Sequence, residues 1–298
     1  MTVGSLVLIA SAANTALAAQ SIDTLKLESR IFGNTRSIRV AVPPGYHDPA
    51  NTTMRYPVLY LNDGIVAFRD QGIGVPAVVR RLILDREIEP LIVVGIDNGG
   101  STDKTVDPAR DRANEFLPYP DVGFGPKNLY PPDPSAPIGK RYPEFLAAEV
   151  MPLIAARYRV LAGAEHTGIA GFSYGGVAAL FTAITRPDLA DRLLLESTPL
   201  WIGPDRQLLA DAALATRWPS RLYLGRGGME SPDAAVRDEG ARDGDSLVTL
   251  ISRAGAGTRA TVHREVTPGA KHEPSAWRAR LPAALRFLFG ADSSRRSR

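Results

Sequence analysis

Not one of the 298 residues is a cysteine. That absence removes thiolate nucleophiles, thiolate metal sites and disulfides together. Histidine is scarce as well, with four in the chain, so any imidazole base is one of His47, His166, His263 and His272. A strong charge of either sign is missing too. The net charge is +3, and much of the excess sits in Arg295, Arg296 and Arg298 at the end of the chain. Such a distribution reads as a frayed basic tail over 291–298 and does not make a nucleic-acid surface. No internal repeat is visible. No apolar run is long enough to span a bilayer, since the N-terminal one is short and rich in Ala and Ser.

That N-terminal run has another reading. No charged residue precedes Asp23, Leu6-Val7-Leu8-Ile9 opens an apolar stretch, and Ala16-Leu17-Ala18 offers an A-x-A cleavage site. These features predict a secretory signal peptide over 1–19 and a periplasmic or secreted protein. The missing Lys or Arg ahead of the apolar stretch is a departure from the usual signal. The rest, 20–290, with 44% hydrophobic content across the chain, is large enough for one domain with a substantial core.

Periodicity divides that domain. Residues 24–29 and 37–42 alternate apolar and polar, as half-exposed antiparallel edge strands do. Segments 57–61, 91–96, 167–171 and 193–195 are short and almost wholly apolar, the pattern of parallel strands covered on both faces. Residues 222–224 and 260–266 predict two later strands. Helical patterns fall over 75–88, 142–158 and 175–185, and Leu247, Leu250 and Ile251 recur at helical spacing. Trp277, Leu281, Leu285 and Leu288 share one face of a final helix that Pro282 starts or kinks. Alternating strands and helices predict a mostly parallel sheet with helices on both sides. Residues 98–141 break the alternation with Pro, Gly and Asp and no period. They predict a long loop that covers or lines a substrate pocket at the carboxyl edge of the sheet.

The chemistry concentrates at Gly171-Phe172-Ser173-Tyr174-Gly175-Gly176, between an apolar strand and the helix that follows. A G-x-S-x-G sequence in that context is a nucleophile elbow, which presents Ser173 on a tight, strained turn. A serine needs a base, and His272 follows the last strand, in a loop that returns to the same edge of the sheet. The imidazole needs a carboxylate to fix its tautomer. Glu230 follows the glycine turn Gly225-Arg226-Gly227-Gly228, and Asp233 is the alternative, with Asp238 and Glu239 more remote. The oxyanion requires two donors: the amide of Tyr174, next after the serine, and that of Ile65, in Asn62-Asp63-Gly64-Ile65.

With these residues placed, the chain resembles the α/β-hydrolase superfamily over about residues 36–290. Within it, the chain is similar to the esterase family that contains enterochelin esterases, esterase D, feruloyl esterases and mycolyltransferases. The resemblance rests on Tyr56 to Gly64, the helix over 145–154, the elbow, Ser197-Thr198-Pro199-Leu200-Trp201, the glycine turn before Glu230, and Lys271-His272 with Trp277 behind it. It implies an α/β-hydrolase fold, a three-layer sandwich, and a serine esterase with a Ser-His-Glu triad, which favours Glu230. It implies no metal and no cofactor. Arg112 and Glu115 resemble a family segment near the pocket, either touching substrate or ordering the loop as ion pairs. Arg112 and Trp201 are the substrate-binding candidates. Lys271-His272-Glu273-Pro274 departs from relatives, in which His is followed by Ser or Asp and an aromatic.

The expected substrate is a small-molecule or carbohydrate-linked ester, with no nucleic-acid partner and no stable insertion in a membrane. The same machinery serves acyl transfer to a sugar or lipid hydroxyl. A peptidase of the prolyl-oligopeptidase type and a non-catalytic binding module on the same fold are the more distant alternatives.

Overall fold

The computed structural model describes residues 22–99, 108–123, 136–254 and 260–290. The predicted signal peptide, the basic tail and part of the predicted pocket loop lie outside the described residues.

Among the described residues, eight strands form one sheet in the order β1-β2-β4-β3-β5-β6-β7-β8. The edge strands β1 (Ile22–Ser29) and β2 (Asn34–Ala41) pair antiparallel, and β2 is antiparallel to β4 (Ile92–Ile96). The remaining pairs are parallel: β3 (Val58–Asn62), β5 (Thr167–Phe172), β6 (Arg192–Glu196), β7 (Arg221–Gly227) and β8 (Thr261–Thr267). The continuous apolar runs of β3, β4 and β5 are buried at every position, as two covered faces require. Along β3, Val58 and Tyr60 enter one core cluster, while Leu59 and Leu61 enter the other.

Helices supply the outer layers. Helices α1 (Gly64–Phe68) and α2 (Val75–Leu84) share one face with α9 (Pro274–Phe289). The other face holds α3 (Pro108–Phe116), the helical run of α4 (Tyr142–Phe145) and α5 (Met151–Arg157) joined by a π turn at Leu146–Val150, then α6 (Tyr174–Thr185), α7 (Gln207–Leu214) and α8 (Ala234–Ala254). This is the three-layer α/β-hydrolase arrangement.

The structure refines three local expectations. The segment 98–141 contains a helix, α3, with no apolar stripe to announce it. Two buried apolar residues, Ala113 and Phe116, and two ion pairs, Arg112 to Asp63 and Glu115 to Arg36, tie it down. Helix α8 starts well ahead of the spaced leucines, and only Val236, Asp243, Gly244, Leu247 and Ile251 are buried in its 21 residues, so the apolar spacing marks its C-terminal half alone. Pro282 lies inside α9, which starts at Pro274.

Candidate active site

Four consecutive strands of the parallel half place one residue each at the sheet's carboxyl edge. Ser173 follows β5, Ser197 follows β6, Glu230 follows the turn after β7, and His272 follows β8. Ser173, Ser197, Glu230 and His272 line one cavity of about 200 Å³. The sheet order alone brings these distant positions together, and ligands in open α/β sheets bind at that edge.

At the elbow, Ser173 has φ 53° and ψ −130°. A non-glycine residue in this region carries strain of about 1–3 kcal/mol and is held there by its surroundings. The Ser173 amide donates to Glu196 O at 2.9 Å, and the Gly176 amide donates to Ser173 O at 2.9 Å. The glycines permit the close approach: a Cβ on Gly171 would sit 2.0 Å from Gly175 O. Beneath this turn, buried Glu196 accepts from Arg280 Nε at 3.0 Å and from Arg280 Nη2 at 2.7 Å. Burial pushes the Glu196 carboxyl up to about 7, with Arg280 opposing the shift.

Glu230 Oε2 lies 3.7 Å from His272 Nδ1. This is an ion-pair separation, wider than a hydrogen bond, and resting catalytic contacts commonly tighten only around substrate. The other carboxylate oxygen, Oε1, accepts from the Gly227 amide at 2.6 Å and from Ser197 Oγ. Burial works to raise the Glu230 pKa. The nearby His272 and the hydrogen bonds from Ser197 and Gly227 outweigh it, so the carboxyl sits below its ordinary value. Trp277 packs edge-on against the His272 ring at 5.3 Å between centroids.

The alternative acid, Asp233, is engaged elsewhere. Its Oδ1 accepts from the Ala235 and Val236 amides at 2.7 and 3.2 Å, capping the start of α8. Glu239 pairs with Arg206 and Arg242. The other histidines are also accounted for: His263 stacks on Tyr223, His47 packs against Tyr46, and His166 sits 3.8 Å from Glu165.

Trp201 lines the cavity. Arg112 is not among the lining residues. Its guanidinium grips Asp63 with two bonds, Nε to Oδ1 at 2.5 Å and Nη2 to Oδ2 at 2.7 Å, and reaches Phe172 O at 3.3 Å. Glu115 is likewise engaged, by buried Arg36 and by the Gly99 amide at 3.1 Å. Of the two alternatives read for this segment, the observed contacts are the loop-ordering ion pairs. Tyr174 is the first residue of α6, and its hydroxyl donates to Asp121 Oδ2 at 2.7 Å. Ile65 lies in the first turn of α1, ahead of the Val66 and Ala67 amides that close on Asp63 O at 2.9 Å. Its amide therefore belongs to the helix-start donors that have no partner within the helix.

Sequence reasoning gave no role to Asp63, Asp121 or the Ser197 hydroxyl. Each acts through a partner tens of residues away, and no local spacing marks such a bond.

A family model described as "Putative esterase" matches residues 29–288. An IroE-like serine hydrolase from Shewanella oneidensis is 23% identical over 90% of this chain and 80% of its own, with a TM-score of 0.69. A siderophore hydrolase, EstB, from Aspergillus nidulans is 21% identical over 92% of this chain and 96% of its own, with a TM-score of 0.68. The enterobactin esterase FES from Shigella flexneri is 19% identical over 90% of this chain and 59% of its own, with a TM-score of 0.63. At these identities the likeness speaks to the fold. No curated protein sequence matches the chain.

Proposed function

Because the chain belongs to the esterase family, whose model spans most of it, we propose that it is an exported serine carboxylic ester hydrolase with Ser173, His272 and Glu230 as its triad. The observation that carries this reading is the Glu230–His272 contact in the wall of the cavity that Ser173 lines. Holding Nδ1 toward Glu230 leaves Nε2 to accept the serine proton.

In the first half-reaction, Ser173 Oγ attacks the ester carbonyl as His272 takes its proton. The Tyr174 and Ile65 amides hold the oxyanion. The imidazolium then gives that proton to the departing alkoxide, and the C–O bond breaks to leave an acyl-serine. In the second, water loses a proton to His272 and attacks the acyl carbon, and Ser173 recovers its proton as the carboxylic acid leaves. Lined-up N-terminal amides of α6 favour the charge that develops at Ser173. Trp201, on the cavity wall, contacts the substrate. Arg112 acts at one remove, fixing Asp63 at the entry to α1. The signal-like segment over 1–19 supports export to the periplasm or beyond.

A panel of nitrophenyl and aryl esters, with Ser173→Ala protein as the blank, tests the reading. Turnover that survives in Ser173→Ala would overturn it.

A further inference from the structure

The cavity beside Ser173 carries more positive charge than ester hydrolysis calls for. Its described lining includes three guanidinium groups, Arg226, Arg237 and Arg264, and one carboxylate, Glu230. That carboxylate is already engaged by His272, Ser197 and the Gly227 amide. Arg264 pairs with Asp245, an exposed residue of α8 outside the cavity lining. Arg226 Nη2 stands 4.0 Å from Glu230 Oε2. Arg237 donates to the carbonyls of Ser231 and Pro232 at 2.9 and 2.8 Å, which satisfies N–H groups without neutralising charge.

The wall that holds these cations is built for them. Leu224 of β7 pairs with Arg264 of β8, and the two-residue strand period puts Arg226 on the face of Leu224. Helix α8 covers that face and presents Gly240 and Gly244, one turn apart, to the two guanidiniums. A Cβ on Gly240 would lie 2.5 Å from Arg226 Nη1, and one on Gly244 would lie 3.2 Å from Arg264 Nη2. Glycine inside a helix is destabilising relative to alanine. Here it lets planar cations approach the helix backbone, and Arg264 Nη2 donates to Ala241 O at 2.8 Å. Burial, and then the neighbouring charge of Arg226, lower the Arg264 pKa. An anion placed between the two relieves that repulsion.

We propose that this wall is a carboxylate-recognition subsite, so that the preferred ester carries a carboxylate on the portion that enters the cavity. Guanidinium forks match the two oxygens of a carboxylate. Leu224, Val236 and Trp201 line the same cavity, so the stretch between ester and carboxylate is apolar. The inference rests on Ser173 being the nucleophile of an esterase.

The test compares the 4-nitrophenyl monoester of adipic acid with its methyl-capped diester, which differs by one negative charge. The expected result at low salt is a preference of tenfold or more in kcat/KM for the carboxylate form. Arg237→Met and, separately, Gly240→Ala should each bring that ratio toward one. Alanine suits the helix at 240 and displaces only the end of Arg226, so the second variant keeps the fold. Equal turnover of the two esters, or preference for the capped one, overturns the subsite and leaves the hydrolase reading intact. If neither is cleaved, the wider ester panel decides the hydrolase reading and calorimetry on Ser173→Ala protein decides the subsite. Binding of monomethyl adipate tenfold tighter than dimethyl adipate supports it, and equal affinities overturn it.

Discussion

The indole nitrogen of Trp277 donates to Ser197 Oγ at 2.8 Å, joining two residues 80 positions apart. The indole fixes the hydroxyl, which turns its own proton to Glu230 Oε1. The carboxylate is thereby oriented toward His272 from behind. Ser197→Ala should lower kcat on a neutral nitrophenyl ester about tenfold to a hundredfold, the range expected when a charged group loses one hydrogen bond worth about 1.5–3 kcal/mol. KM should move little, because the hydroxyl acts through the carboxylate and its loss removes no binding contact. Trp277→Phe should shift kcat in the same direction and by less. A change confined to KM would assign Ser197 to substrate binding.

Ser173 pays for its exposure in backbone strain at φ 53°. Ser173→Gly removes both the nucleophile and the strain, since glycine enters this region without steric cost. Turnover should fall by about four to six orders of magnitude, the cost of losing a triad nucleophile. Stability should rise by about 1 kcal/mol, or about 2 °C in melting temperature for a chain of this length. Calorimetry of Ser173→Gly beside Ser173→Ala separates the two effects. The alanine variant should be inactive without the gain, because its side chain meets the same strain.

The parallel strands were legible because burial on both faces leaves continuous apolar runs, as in Ile92–Ile96. The elbow was legible because its glycines are a local steric demand. His272, and the turn that carries both Glu230 and Asp233, could be placed from strand order, since a loop after a parallel strand must return to one edge. The preference for Glu230 rests on its place just after the glycine turn and on the family resemblance. Helix α3 was not legible. Arg112 and Glu115 hold it through Asp63 and Arg36, partners that lie 49 and 79 residues away. The buried apolar anchors of α3, Ala113 and Phe116, are too few to make a hydrophobic period, and its charged anchors make none. The guanidinium wall was hidden for a related reason: Arg226, Arg237 and Arg264 belong to three different elements and meet only in the folded chain.

Glu230 should leave a signature in acid. Its folded-state pKa is depressed, so the stability from the ionised carboxylate is fully present above the unfolded-state value, about 4.3 for glutamate, and is lost as pH falls through the lower folded-state value. Below that window the protonated acid accepts more weakly from Gly227 and Ser197, since the charge that strengthened both bonds is gone. The stability difference between wild type and Glu230→Gln, measured by urea unfolding, should therefore shrink as pH falls from 6 to 3. A difference that stays constant across that range would mean that the carboxylate is not held ionised. At neutral pH the same variant should lose about 10²–10⁴-fold in kcat, as a triad does when its orienting acid is replaced by the amide.

Asp63 and Arg112 make the last test, because the sequence offered Arg112 as a substrate contact and the fold binds it to Asp63. Asp63 stands at φ 57°, at the entry to α1, and is 6% exposed. Removing one partner of such a pair leaves the other charge poorly solvated, at a cost of 3–5 kcal/mol when both are buried. The Arg112 side chain is 27% exposed, so Arg112→Met should cost less, about 2 kcal/mol in urea unfolding. A double-mutant cycle with Asp63→Asn should show strong coupling, since the second change removes the charge stranded by the first. KM for a neutral ester should stay within about threefold of wild type, while kcat falls as α1 and its Ile65 amide lose their anchor. Undiminished stability with a large rise in KM would instead place Arg112 on the substrate.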